Sequence, residues 1–323
     1  MSTPWVLNTH GDPLGTLNQF IRTIWEKARL DGLVVAAGDQ KEAYLLEDPS
    51  QVQEINPFRP VMTANLARLL PETVRAKPDA RLGVLLRPCE MRALTEVAER
   101  GALRIDRLLT ICVDCLGTFP EDEFEWRSAR KGSEGGLTSE ALQFAHQGGI
   151  SAYRYRAACQ MCVSPGATEA DINIGVLGLP VRHTILVSVR DGKLDWQELT
   201  DSQADSGLVD RHDAMLARLS ERHIRTRERV VEGLAEVLPP DVNALIDQFA
   251  ACGTCQSCMG VCPICAADAP RIGKDGRLER ESVVNWLVSC AGCGMCEQAC
   301  PNHLPLSIIF THIKEQIEKE LAM

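Results

Sequence analysis

CGTCQSCMGVCP at 252–263 and CAGCGMCEQACP at 290–301 repeat one pattern, CxxCxxCxxxCP. Three thiolates spaced by two residues converge on adjacent corners of an iron–sulfur cubane, and the fourth, before proline, reaches across to a neighbouring cubane. The spacing assigns Cys252, Cys255, Cys258 and Cys300 to one [4Fe-4S] cluster and Cys290, Cys293, Cys296 and Cys262 to a second. Gly253, Gly260, Gly292 and Gly294 offer positions free to take positive φ, so that backbone N–H groups can approach sulfur and share the cluster's negative charge. Zinc is the competing occupant of CxxC pairs. Eight thiolates in two identical strings, each closed by Cys-Pro, follow the iron–sulfur spacing instead. Cys265 is left over and reads as a buried thiol.

With 323 residues the chain has room for about two domains. The cysteine strings and the helix after them make the smaller one, 241–323, and residues 1–240 remain for a larger unit with its own core. The balance of 34 Lys and Arg against 44 Asp and Glu gives a net charge of −10, which argues against the basic surface a nucleic-acid binder needs. No apolar run reaches the roughly 18 residues of a membrane helix. The opening MSTPWVLNTHGDP lacks the charged and apolar regions of an export signal. Fourteen cysteines without such a signal point to a reducing compartment, so the expected location is the cytoplasm, with clusters rather than disulfides.

Upstream, Leu17, Phe20, Ile21, Ile24 and Trp25 recur at helical spacing between Leu14 and Leu30, and after the break at Gly32 the run GLVVAAG reads as a strand. Ala43 to Leu46, Arg81 to Leu86 and Arg107 to Val113 read as further strands, with helices at Met62 to Val74 and Glu90 to Glu99 between them. Strands separated by helices predict an α/β (α+β) layer. The glycine-bearing stretch 117–149 reads as surface helices, and Ile172 to Leu179 and His183 to Val189 as two strands. Asp210 to Leu238 reads as one long charged helix with Met215, Leu219, Val230 and Leu234 inward. Pro239-Pro240 marks a linker, Lys274-Asp275-Gly276 a turn between the cluster strings, and Ser307 to Leu321 a closing helix. The smaller domain is thus expected to be a bacterial-type 2[4Fe-4S] ferredoxin.

Five cysteines lie outside the strings: Cys89, Cys112, Cys115, Cys159 and Cys162. Cys89 follows the strand RLGVLLR and opens a helix, whose positive N-terminus favours thiolate. Cys115 follows the strand LLTICVD, at the carboxyl edge of a sheet where ligand sites form. Cys159 and Cys162 make a CxxC in a loop. Four thiolates from three loops suffice for a third cubane, with zinc as the alternative. Arg87 and Arg92 flank Cys89 as candidate cofactor-phosphate ligands, a surface salt bridge being the plainer reading of each. No GxGxxG follows a strand, so a dinucleotide fingerprint is missing.

RPCEMRALTE (87–96), ICVDCLGT (111–118) and CQMCVSPGATEADINIG (159–175) resemble the three cysteine segments of the beta subunit family of coenzyme F420-reducing hydrogenase and F420-dependent formate dehydrogenase. The resemblance covers roughly residues 30 to 190, and its most specific points are Cys115-Leu116-Gly117-Thr118 and Ala170-Asp171-Ile172 with Gly175. It implies a cluster on Cys89, Cys115, Cys159 and Cys162, which brings the chain to three [4Fe-4S] clusters, with Cys112 supernumerary. It also implies FAD in the first domain and hydride exchange with F420. The implied partner is a hydrogenase, formate dehydrogenase or heterodisulfide reductase type of subunit in a hetero-oligomer. Ser164 and Gly166-Ala167-Thr168 stand where that family often has an acidic residue and a Thr-Ala-Glu stretch, which keeps NAD(P)H beside F420 as the expected carrier. The expectation is a flavin-dependent iron–sulfur oxidoreductase subunit. The alternative is an electron-transfer connector with no substrate of its own.

Overall fold

The computed structural model describes residues 4–36, 43–148, 154–190, 199–234, 236–239, 241, 244 and 255–321. Cys252 and Gly253 of the first cluster string and Pro240 of the expected linker lie outside the described residues. Among the described residues the strands are β1 (Trp5–Asn8), β2 (Gly32–Ala36), β3 (Ala43–Leu46), β4 (Leu82–Leu86), β5 (Leu108–Val113), β6 (Ile172–Gly175), β7 (Thr184–Val189) and β8 (Ser202–Gln203). They form one mixed sheet in the order β3-β2-β4-β5-β6-β7-β1-β8. Strands β2, β4, β5 and β6 run parallel, and the pairings toward both edges are antiparallel.

The central strands are near-continuous runs of Leu, Val and Ile, the composition of strands covered on both faces. Alternation along each strand divides these side chains between two cores. Leu33, Val35, Ile111 and Val113 pack with Leu17, Phe20, Ile21 and Ile24 of α1 (Pro13–Ala28). Val34, Val84 and Leu86 face the other way, onto Leu66 and Leu70 of α2 (Leu66–Ala76) and Met91 and Leu94 of α3 (Pro88–Glu99). Cys112 belongs to this second core and is 1% exposed, which accounts for it as a packing residue. The stretch 117–149 does carry helices, α4 (Glu121–Lys131) and α5 (Glu134–Gln143).

Some boundaries differ from the sequence expectation, for local reasons. Helix α2 starts at Leu66 rather than Met62, because the Asn65 side chain caps it by accepting from Ala67 N, while Glu90 Oε1 accepts from Leu66 N. Strand β6 stops at Gly175, because the N–H groups of Val176 and Leu177 donate to Asp114 Oδ2 rather than to a neighbouring strand. The edge-side strands β1 and β8 carry too few residues to show a period.

Helix α6 (Ala157–Gln160) holds the start of the CxxC, and α7 (Ser206–Leu234) is the long charged helix. Met215 and Leu219 of α7 are buried as its spacing predicts, joined by His223, while Val230 and Leu234 are half-buried. The carboxyl-terminal part comprises α8 (Ser257–Gly260), α9 (Pro263–Ala267), α10 (Arg280–Val288), α11 (Met295–Gln298) and α12 (Leu306–Leu321). Its core joins Ile264, Leu278, Trp286 and Leu287 to Leu306, Phe310 and Ile313, so the closing helix folds back over the cluster strings. The Lys274–Gly276 turn is present, with Gly276 at φ +79 and a bridge between Ile272 and Leu278.

This part docks onto the α/β unit. Helix α9 packs on α2 and α3, and Arg100 at the end of α3 donates to Asp268 Oδ2 (2.8 Å), Asn285 O (2.7 Å) and Ser289 Oγ (2.9 Å). Arg227 of α7 pairs with Glu315 of α12 at 2.8 Å. Among the described residues no helix is long and apolar enough to cross a membrane.

Candidate iron–sulfur sites

Strands β4 and β5 are adjacent and parallel, so the chain leaves both at the same edge of the sheet. Cys89 follows β4 in the first turn of α3, and Cys115 lies two residues beyond β5. Asp114 then builds the third wall. Its carboxylate, 3% exposed, accepts from Ala167 N, Val176 N and Leu177 N at 2.8–3.0 Å and pairs with His212 Nε2 at 2.8 Å. These bonds fasten the chain after the CxxC to the end of β5, and Cys115 N donates to Pro165 O. The result is one inner cleft whose walls include Cys89, Cys115, Cys159 and Cys162, the four residues that the resemblance groups together.

Two close approaches shape this cleft. Gly117 has φ +91, and a Cβ there would lie 2.3 Å from the Tyr155 ring. This brings Thr118 beside the CxxC, where Thr118 Oγ1 is 3.1 Å from Cys159 Sγ and accepts from Arg156 Nε at 2.8 Å. With Cys159 a thiolate, the hydroxyl proton of Thr118 is free to donate to the sulfur. Gly294 has φ +71, and a Cβ there would lie 2.5 Å from Ala158 Cβ. That approach brings the second cluster string against α6, and Cys293 lines the same inner cleft as the four upstream cysteines.

The remaining string cysteines fall into two places. Cys255, Cys258 and Cys300 line an outer pocket with Met259, Leu278, Trp286 and Phe310. Cys300 thus shares a pocket with Cys255 and Cys258 of the first string, while Cys252 lies outside the described residues. Cys290 and Cys296 line a junction with Arg92, Cys162 and Lys314. Burial raises the thiols of Cys290, Cys293 and Cys296, and Cys262 adds to the rise at all three. Gly292 and Gly294 have φ of +66 and +71; Gly260 is helical in α8 and does not.

The electrostatics suit metal-held thiolates. Enclosure pushes the Cys115 thiol up to about 12, with Cys159 adding to it and Arg87 offsetting it. Cys89 is raised well above the ordinary range by the same desolvation and by Glu90, despite its place at a helix N-terminus. Enclosure likewise takes Cys293 to about 12. Such thiols lose their protons to a metal that holds the resulting charge. Cys262 goes the other way, to about 6, because the Cys265 thiol donates to it and Trp286 Nε1 reaches its sulfur at 3.4 Å. Cys265 is 8% exposed and serves as that donor. Among the described residues no group of three or more Cys, His, Asp or Glu side chains is placed to hold a metal ion.

The two arginines beside Cys89 have protein partners. Arg87 donates to the carbonyls of Arg59 (2.9 Å) and Val61 (2.8 Å). Arg92 donates to Ser164 O (2.9 Å) and Ala291 O (3.3 Å) and lies 3.9 Å from Cys162 Sγ. Arg156, Thr118 and Asp114 were not anticipated as site residues. Their type and position carry no spacing signal, although Asp114 and Thr118 lie within the CVDCLGT stretch.

Residues 222–304 match the 4Fe-4S dicluster domain family, so the tail is a dicluster domain. The F420-dependent formate dehydrogenase subunit beta of Methanocaldococcus jannaschii is 22% identical over 293 residues, 76% of this chain and 73% of that protein. The F420-dependent formate dehydrogenase 1 subunit beta of Methanococcus maripaludis is 25% identical over 286 residues, 76% and 72% of the two chains. The chain resembles F420-linked beta subunits. A chain of the F420-reducing [NiFe] hydrogenase complex from Methanosarcina barkeri has a similar fold, with a TM-score of 0.52 at 14% identity over 75% of this chain and 94% of that one.

Proposed function

We propose that this chain is an iron–sulfur flavoprotein subunit that passes electrons between a hydride carrier, F420 or NAD(P)H, and a partner redox enzyme. One observation carries the reading: Cys293 of the second ferredoxin string lines the same cleft as Cys89, Cys115, Cys159 and Cys162. Two cysteine systems far apart in sequence are thereby contiguous in space, as a relay requires. Likeness to beta subunits named as F420-dependent supports the carrier and the multisubunit setting.

In this reading Cys89, Cys115, Cys159 and Cys162 hold an inner [4Fe-4S] cluster. Cys290, Cys293, Cys296 and Cys262 hold the next, and Cys252, Cys255, Cys258 and Cys300 the outer one. FAD in the first domain, carried by the resemblance, and three clusters would supply the exchange between a two-electron hydride and single-electron steps. The chain's own residues do the rest. Thr118 donates toward Cys159, Asp114 keeps the CxxC loop in place, Met62 and Leu116 exclude water, and Arg92 and Arg156 offset negative charge at the inner cleft.

Anaerobic reconstitution of the full chain tests this. It should hold about twelve irons, as three four-iron clusters, together with one flavin, and should reduce a viologen dye from F420H2 or from NAD(P)H. Zinc in place of iron would overturn the relay. Full iron with no flavin would reduce the chain to a connector without its own substrate.

A further inference from the structure

Arg156 is 6% exposed and sits where the two cysteine systems meet. On the α/β side its Nε donates to Thr118 Oγ1 (2.8 Å), and one terminal nitrogen lies 3.8 Å from Cys159 Sγ and 3.3 Å from Met62 Sδ. On the ferredoxin side the other terminal nitrogen donates to Gln298 Oε1 (2.6 Å) and lies 3.7 Å from Met295 Sδ. The thiols of Cys159, Cys89 and Cys293 are its electrostatic neighbours, drawn from both systems. Among the described residues no carboxylate pairs with it. A guanidinium enclosed this fully is costly unless negative charge lies beside it. Among the described residues, the groups placed beside it that can carry that charge are the sulfurs of Cys159, Cys89 and Cys293.

We propose that Arg156 is a positioning residue that sets the reduction potentials of the inner cluster and of the cluster on the second string. The inference rests on the reading that these cysteines hold clusters. Each cluster gains one negative charge when it accepts one electron, and a fixed cation beside it in a poorly solvated site favours the reduced form. The fork geometry matters because the same guanidinium must face Thr118 and Cys159 in one direction and Gln298 in the other. Arg92 touches Cys162 and Ala291 O across the same junction, but Glu169 also acts on it. The outer pocket is an internal reference, since Cys255, Cys258 and Cys300 line a separate pocket whose walls do not include Arg156.

The test is a redox titration of the anaerobically reconstituted full chain, followed by electron paramagnetic resonance, with iron counted in every sample. In Arg156→Met, two of three couples should move to more negative potential. Their reduced-to-oxidised ratio at fixed potential should fall about tenfold, which is about 59 mV for a one-electron couple. The third couple should stay in place. Arg156→Lys, which keeps the charge, should recover most of the shift. Should Arg156→Met fail to assemble, Gln298→Glu places a carboxylate against the guanidinium without touching the fork, and should lower the same two couples. Full iron with all couples unmoved, all three moved alike, or Lys behaving as Met would overturn the inference alone. Wild-type protein without iron for the inner site would overturn the functional reading beneath it.

Discussion

The inner cleft and the outer pocket surround their cysteines in opposite ways. At the inner cleft Cys89 and Cys115 are raised by enclosure, and Arg92, Arg156 and Thr118 close on the sulfurs. At the outer pocket Cys255 is exposed and lowered by its hydrogen bond to Ser257 Oγ, and the other walls are mostly apolar. Solvent at Cys255 screens charge better than the enclosure around Cys89 and Cys115 does.

The largest expected effect separates the two ends by ligand loss. Cys159→Ala should remove the inner cluster, lowering iron from about twelve to about eight per chain, while leaving the dicluster signals in place. Retention of all the iron in that variant would refute the ligand set. Next in size is a break at the contact between them. Gly294→Val puts a side chain where a Cβ alone would meet Ala158 Cβ at 2.5 Å, in a backbone with φ +71. Overpacking of this kind costs about 1–3 kcal/mol. Gly292→Val has a similar φ and no atom within 4 Å, so calorimetry should show a smaller loss for it. Equal losses would mean that the α6 contact contributes nothing.

A third comparison is kinetic: an anaerobic iron chelator should strip the outer cluster before the inner one, with spectra assigned from the Cys159→Ala protein. The smallest effect is a pH dependence on the inner side. Burial alone would lower the His212 pKa, but the hydrogen bond to Asp114 and the charges of Asp114 and Asp213 outweigh it and raise it. A raised histidine contributes stability that is fully present below its unfolded value of about 6.5 and lost as pH rises through the folded value. The melting-temperature gap between wild type and His212→Gln should therefore be widest in mild acid and narrow toward alkaline pH.

The sheet's central strands were legible because three-in-a-row aliphatic runs such as Leu-Val-Val at 33–35 and Val-Leu-Leu at 84–86 suit strands covered on both faces. Helix α1 was legible from Leu17, Phe20, Ile21 and Ile24, all of which enter the core. The grouping of Cys300 with Cys255 and Cys258 followed from motif spacing alone. The place of Cys293 at the inner cleft did not, because it depends on how two units dock, through Gly294 against Ala158 and Arg100 against Ser289. Nor did Arg156, since a charged residue three positions before a CxxC looks the same whether it faces water or sulfur. Strand β6 ended early for a reason equally invisible in one dimension, the capture of two amides by Asp114.

Strand β1 lies between β7 and β8, with Trp5 opposite Val187 on one side and Gln203 on the other. A ribosome releases Val6 and Leu7 long before either neighbour exists, so this strand must remain unpaired while the middle of the sheet assembles. Contacts so distant in sequence form slowly, and an open apolar strand invites aggregation during the wait. A chaperone that shields the first strand until its partners emerge should therefore raise the yield of folded protein.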